Sequence, residues 1–235
     1  MQRLDALSTR ARARITGVVY LLFFVTAVLG ALVAPGISGL GGTTSDAAAT
    51  ASGIVGHESA DRLGWALGLV STAFYVALMA LFYVMFRPVA RTMALLAAFF
   101  GLTGCAVTAF GSLFQLAPLL ILSGDSYLSA FDAHQLQALA LLSLNLNVQV
   151  GYIALVFFGC FQLALGYLIY RSGFLPRVLG VLIAVAGVGW LLFLAPPLAT
   201  RILGPLEVLG FVAEAALMLW LIVMGVGRPA AAATP

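Results

Sequence analysis

The chain has 235 residues, of which 63% are hydrophobic and 8% charged, with a formal net charge of +3. Soluble domains are about half apolar and about one-quarter charged, so a water-soluble globule of this composition would expose more apolar surface than water tolerates. A charge this small excludes an electrostatic nucleic-acid binder, and it leaves the bilayer as the solvent for most of the chain.

Arg3, Arg10, Arg12 and Arg14 precede the first apolar run, Ile15–Ala34. The run is longer than the ~7–15 residues of a signal-peptide core and reads as a first span rather than a cleaved leader. A glycine-rich segment, PGISGLGG, follows. Thr44, Ser45 and Asp46 then offer N-caps to AAATASGIVGH, a predicted short helix on the outer surface. Leu63–Phe86 and Met93–Phe114 are the second and third spans, joined by a turn holding Arg87 and Arg91. Asp132 is positioned to cap a helix that starts at Ala133 and runs into the fourth span, Val148–Tyr170. The joined stretch to Arg171 is too long for one perpendicular crossing, so it must tilt, kink near Gly151 or project. Arg171 and Arg177 bracket a Gly-Phe-Leu-Pro turn before span five, Val178–Leu194. Pro196 and Pro197 end that span, and Pro205 opens the sixth, Leu206–Val226. The tail from residue 229 reads as disordered. Trp65 and Trp190 fall at the outer interface, where an aromatic belt forms.

None of these runs alternates in the way a barrel strand does, and an open sheet cannot cross lipid. The fold class is therefore all-α integral membrane. It is one six-span bundle over 1–228, with a short outer helix before span two and a long fourth helix. Six spans place nine arginines on one side and two, Arg62 and Arg201, on the other. By the positive-inside rule both termini are cytoplasmic, with Arg87, Arg91, Arg171 and Arg177 as topology anchors.

Polar groups inside a span are costly and each needs a reason. Glu214 lies eight residues into span six, and no arginine lies within any span to neutralise it. Glu207 is seven residues earlier, on nearly the same face. Two readings stand side by side. In one, Glu214 and Glu207 line an outward cavity or proton path. In the other, Glu214 is a hydrogen-bonding clasp between helices. Gln162 shares a helical face with Gly151, Leu155, Gly159 and Gly166, a stripe suited to helix packing, closest around Gly159 and Gly166. Asn145 and Gln149, with Tyr152 beside them, either line an outer vestibule or solvate the helix end.

Cys105 and Cys160 read as small buried hydrophobes. His57-Glu58-x-x-Asp61 lacks the second histidine of a zinc-protease helix, so His57 and His134 read as surface residues. No metal site, cofactor site, Walker loop, dinucleotide fingerprint or nucleophile elbow is legible.

The passage ALVFFGCFQLALGYLIYRSGFLPRVLGVLIAVAG, together with RARITGVVYLLFFV, RPVARTMALLAAFFGL and FVAEAALMLWLIVMGV, resembles a bacterial multi-span family known as domain of unknown function 4386. GYLIYRSGFLPRVLG is its most specific segment. The resemblance implies the six-span architecture and an acid in the last span, matching Glu214. It also implies histidine where this chain has Asn147 and Phe161 and aspartate where it has Tyr152. Chemistry resting on those groups is therefore not expected here. The family carries no activity to transfer.

The expected protein is a multi-pass component of a bacterial cytoplasmic membrane, monomeric or homo-oligomeric. Its partners are the lipid bilayer and a small or lipophilic ligand, with no nucleic acid. Three functions are open. A non-enzymatic transporter-like or ligand-binding module leads, followed by a structural or accessory subunit and by an enzyme acting on lipid or quinone.

Overall fold

The structure, a computed structural model, describes residues 9–37 and 46–225. The expected caps Thr44 and Ser45, most of the glycine-rich segment, Arg3, Arg228 and the tail lie outside these residues. The described chain is helical, with no strand. In order it forms α1 (Thr9–Val33), α2 (Ala47–Gly56), α3 (Glu58–Phe86), α4 (Arg91–Ile121), α5 (Ala133–Ser172), α6 (Arg177–Leu191), α7 (Pro196–Ala199) and α8 (Leu203–Val223). Six helices are long and apolar enough to cross a membrane: α1, α3, α4, α5, α6 with its 3-10 extension, and α8. Hydrocarbon offers the backbone no partners, so each crossing must close its own hydrogen bonds. The outward face of α1 shows what the bilayer is for. Ile15, Val18, Leu22, Val25, Leu29 and Leu32 are all exposed and recur at three- and four-residue steps, forming one apolar stripe.

Local chemistry sets several helix ends. The Asp46 carboxylate accepts from the amides of Ala48 and Ala49 and starts α2. Asp132 and Gln135 form a reciprocal capping box at the head of α5. The Gln135 amide donates to Asp132 Oδ1 at 2.9 Å, and the Asp132 amide donates to Gln135 Oε1 at 3.0 Å. From there α5 runs 40 residues, about 60 Å at 1.5 Å per residue, through Gly151 without a break. That is about twice the hydrocarbon thickness. Gly173, at φ +67°, takes the left-handed position that ends α5.

α1, which starts at Thr9, α3 and α4 extend past their apolar runs. α4 continues beyond Phe114, through Pro118, to Ile121. Gln115 and Pro118 break the apolar pattern there, but the Gln115 amide donates to the Ile37 carbonyl and the Leu122 amide to the Pro118 carbonyl. α3 begins at Glu58 rather than Leu63. Its first turn carries an Arg62–Glu58 ion pair at 2.9 Å and Asp61, which is fully buried. Asp61 Oδ1 accepts the Gly36 amide at 3.0 Å, tying the turn after α1 to α3.

Backbone contacts divide the chain into two compact units. One comprises Phe23–Ala73 and Ala106–Gly151. Its core is Ala34, Ile37, Ile54, Leu119 and Leu144, with Trp65 packed against it. Side chains donating to backbone carbonyls lock it: Trp65 Nε1 to Ser112 at 2.9 Å and Asn147 Nδ2 to Gly111 at 2.8 Å.

The other unit takes the chain up to Leu22, Phe74–Cys105 and the chain from Tyr152 onward. Its centre is aromatic. Tyr20 and Tyr75, Tyr75 and Phe158, and Tyr75 and Phe161 meet edge to face, a favoured geometry. Beside them, α5 and α6 cross through paired glycines. A Cβ on Gly166 would lie 2.6 Å from the Gly180 carbonyl oxygen, and one on Gly159 would lie 2.8 Å from that of Gly187. Small residues are what allow such close backbone approach. Gly151, by contrast, has nothing within 4 Å of its would-be Cβ.

The seam predicts a contrast among substitutions. Gly166→Ala and Gly180→Ala should each destabilise the protein by about 1–3 kcal/mol, because the obstructing atoms are backbone. Gly151→Ala should be neutral or stabilising by up to about 1 kcal/mol from helix propensity. Thermal unfolding in detergent measures all three, and equal losses would remove the seam as the cause.

Candidate functional site

The site is built where four helices bring polar side chains into an apolar unit. Glu214 comes from α8, Gln162 from α5, Tyr20 from α1 and Tyr75 from α3. Gln162 is 1% exposed, Tyr20 1% and Tyr75 5%. Gln162 Nε2 donates to Glu214 Oε1 at 2.6 Å. The Tyr20 and Tyr75 hydroxyls are each hydrogen-bonded to the Glu214 carboxyl and to one another.

Each placement has a local cause. Gln162 lies between Gly159 and Gly166, where α6 packs closely enough that a Cβ on Gly187 would meet Gln162 Cβ at 3.1 Å. Tyr75 is fixed by its edge contacts with Phe158 and Phe161, and Tyr20 by Tyr75 and Phe82. Glu214 itself is half-buried, between the buried Ala213 and Leu217.

The electrostatics are those of an acid held by neutral donors. The Arg62–Glu58 ion pair lies at the start of α3, and the partners of Glu214 are the neutral Tyr20, Gln162 and Tyr75. Gln162 Oε1 is buried and has no hydrogen-bond partner among the described residues, leaving an acceptor unfilled next to the acid.

The structure brings Glu214 and Gln162 together and leaves the other candidates apart. Glu207 is exposed on α8. Asn145 and Gln149 are exposed on α5. Tyr152 turns away from them and packs on Phe193 at 4.7 Å between ring centroids, in a cluster that also takes Leu155 and Trp190. Asn147, on the opposite face of α5, lines a cavity of about 170 Å³ whose walls mix Thr72, Thr108, Ser112 and Gln115 with Leu69 and Val150. Arg171 lies over the Tyr167 ring at 5.9 Å and Arg177 over Tyr170 at 5.3 Å. Arg87 is half-buried and Arg91 is exposed at the start of α4. His57 and His134 are exposed. No group of three or more His, Cys, Asp or Glu able to hold a metal occurs among the described residues.

Sequence reasoning missed Tyr20, Tyr75 and Asp61. The signal for the tyrosines was a hydroxyl well inside a span, which needs a partner as surely as Glu214 does.

The network predicts energetic coupling. Tyr75→Phe and Glu214→Gln, alone and together, should show a coupling energy of about 0.5–2 kcal/mol in unfolding from detergent, the scale of interhelical hydrogen bonds in membranes. Strict additivity would mean that the two side chains do not interact.

The family described as domain of unknown function (DUF4386) matches residues 15–225. No curated protein and no solved structure matches the chain.

Proposed function

The chain belongs to the DUF4386 family and is a multi-pass membrane protein, and we propose that it is a non-enzymatic, transporter-like module that binds a small or lipophilic ligand at Glu214. The observation that carries this reading is an acid within a span, held only by neutral donors from three other helices. A purely structural position is served more cheaply by an amide, which needs no proton balance. Glu214 is the group that takes up and releases a proton or receives a ligand donor. Gln162, Tyr20 and Tyr75 orient it, and the unfilled Gln162 Oε1 is the natural acceptor for a ligand N–H or O–H. The arginine distribution supports cytoplasmic termini, and the reading takes the protein to be a component of a bacterial cytoplasmic membrane.

A second reading rests on the same bonds. Because each partner of Glu214 arrives on a different helix, the node would also suit a structural or accessory subunit that needs only a clasp.

One experiment separates the two. The full chain is reconstituted in liposomes carrying a lumenal pH dye, and a potassium diffusion potential drives proton movement. The wild type should carry protons, and Glu214→Gln should reduce the flux by about tenfold or more, a barrier change of about 1.4 kcal/mol, while melting within a few degrees of wild type. A wild type without flux, together with a large loss of melting temperature in Glu214→Gln, would leave only the clasp.

A further inference from the structure

A cavity of about 400 Å³ opens at the arginine-bearing helix ends, lined by Arg12, Met85, Pro88, Val89, Arg171, Ser172 and Phe174. It lies within the unit that holds Glu214 but shares no residue with that node. Its walls come from the first turn of α1, the end of α3 with the turn after it, and the end of α5. Two features are unusual. First, two arginines and, among the described residues, no acid line the cavity; the Arg171 guanidinium also lies over the Tyr167 ring. The described helices contributing to it carry only Glu58 and Asp61 as acids, at the far end of α3. Second, Arg12 Nε is buried without a hydrogen-bond partner among the described residues. A buried charged donor left unmatched is costly, and two like charges facing one cavity repel. A single anion would relieve both penalties.

The chemistry of the walls narrows the anion. Guanidinium groups match the geometry of phosphate oxygens. Met85, Pro88, Val89 and Phe174 add an apolar side, so an entirely hydrated ion would leave half of the lining unused. Arg12 lies three residues before the apolar run that starts at Ile15, and Arg171 follows the run that ends at Tyr170. The cavity therefore sits at the level of lipid headgroups, where basic pockets between helices take anionic lipids. The volume is within the ~300–1,000 Å³ of ligand pockets.

We infer that this cavity is a binding site for a phosphate group carried on a partly apolar molecule, gripped by Arg12 and Arg171. Such a group reaches it either as the headgroup of an anionic phospholipid or as a free phosphate compound.

Native mass spectrometry of the full chain in detergent tests the site. The probes are phosphatidylglycerol, phosphatidylcholine as the neutral-headgroup control, and inorganic phosphate. Retention of phosphatidylglycerol over phosphatidylcholine is expected, falling by about tenfold in Arg12→Gln/Arg171→Gln and unchanged in Arg91→Gln, which alters an arginine outside the cavity. That pattern identifies the lipid. Inorganic phosphate that protects against heat in the wild type but not in the double variant identifies the free compound. Equal retention of the two lipids by the wild type, with no thermal protection by phosphate, overturns the site whether or not the double variant folds. So does undiminished retention in a folded double variant.

Discussion

A polar side chain that enters a bilayer loses water and must find its partners in the protein. In this chain that constraint falls hardest on Glu214, and the packing around it follows from how it is met. One acid draws a glutamine from α5 and two tyrosines from α1 and α3, so four helices share one node. The node requires Tyr20 and Tyr75 to be buried, and their rings in turn organise Phe82, Phe158 and Phe161. It also requires Gln162 to sit deep between helices. The glycines at 159 and 166, pressed against Gly187 and Gly180, give α6 the closeness that seals that side.

The same rule operates elsewhere. Asp61 is fully buried; its Oδ1 accepts a backbone amide from the turn after α1, while its Oδ2 has no hydrogen-bond partner among the described residues. Trp65, Gln115 and Asn147 each donate to a backbone carbonyl. Those three bonds join side chain to main chain, so they fix helix register without a titrating group. Glu214 differs because its partners are all side chains, each arriving on a different helix. That difference separates a functional candidate from a structural one, more than burial does.

Much of the fold was legible because lipid imposes length and composition on every crossing. The six apolar runs, the short helix beginning after Asp46 and the long helix beginning after Asp132 all stand in the sequence as patterns of a few residues. The helix ends were harder. Gln115 and Pro118 interrupt the apolar pattern, yet α4 passes through them because the Gln115 amide finds the Ile37 carbonyl, a contact that no local pattern encodes. Asp61 sits just before an apolar run and reads as a loop charge, and only the return of the chain at Gly36 buries it. The site was half legible. Glu214 and Gln162 stand out as polar residues in apolar runs, but Tyr20 and Tyr75 count as aromatic and apolar in any hydropathy pattern. Their meeting at Glu214 depends on helix rotation and pairing, which are tertiary facts. Tyr152 shows the converse. Its spacing groups it with the exposed amides of α5, whereas stacking on Phe193 turns it elsewhere.

The central claim is that Glu214 exchanges a proton from within the helices rather than being sealed as a permanent clasp. Dicyclohexylcarbodiimide, an apolar reagent that attacks protonated carboxyls, addresses it directly when the labelled protein is mapped by mass spectrometry. The account predicts modification at Glu214 in the folded, membrane-embedded protein, declining as the pH is raised and the carboxyl gives up its proton. A folded protein in which Glu214 remains unlabelled at every pH would contradict it.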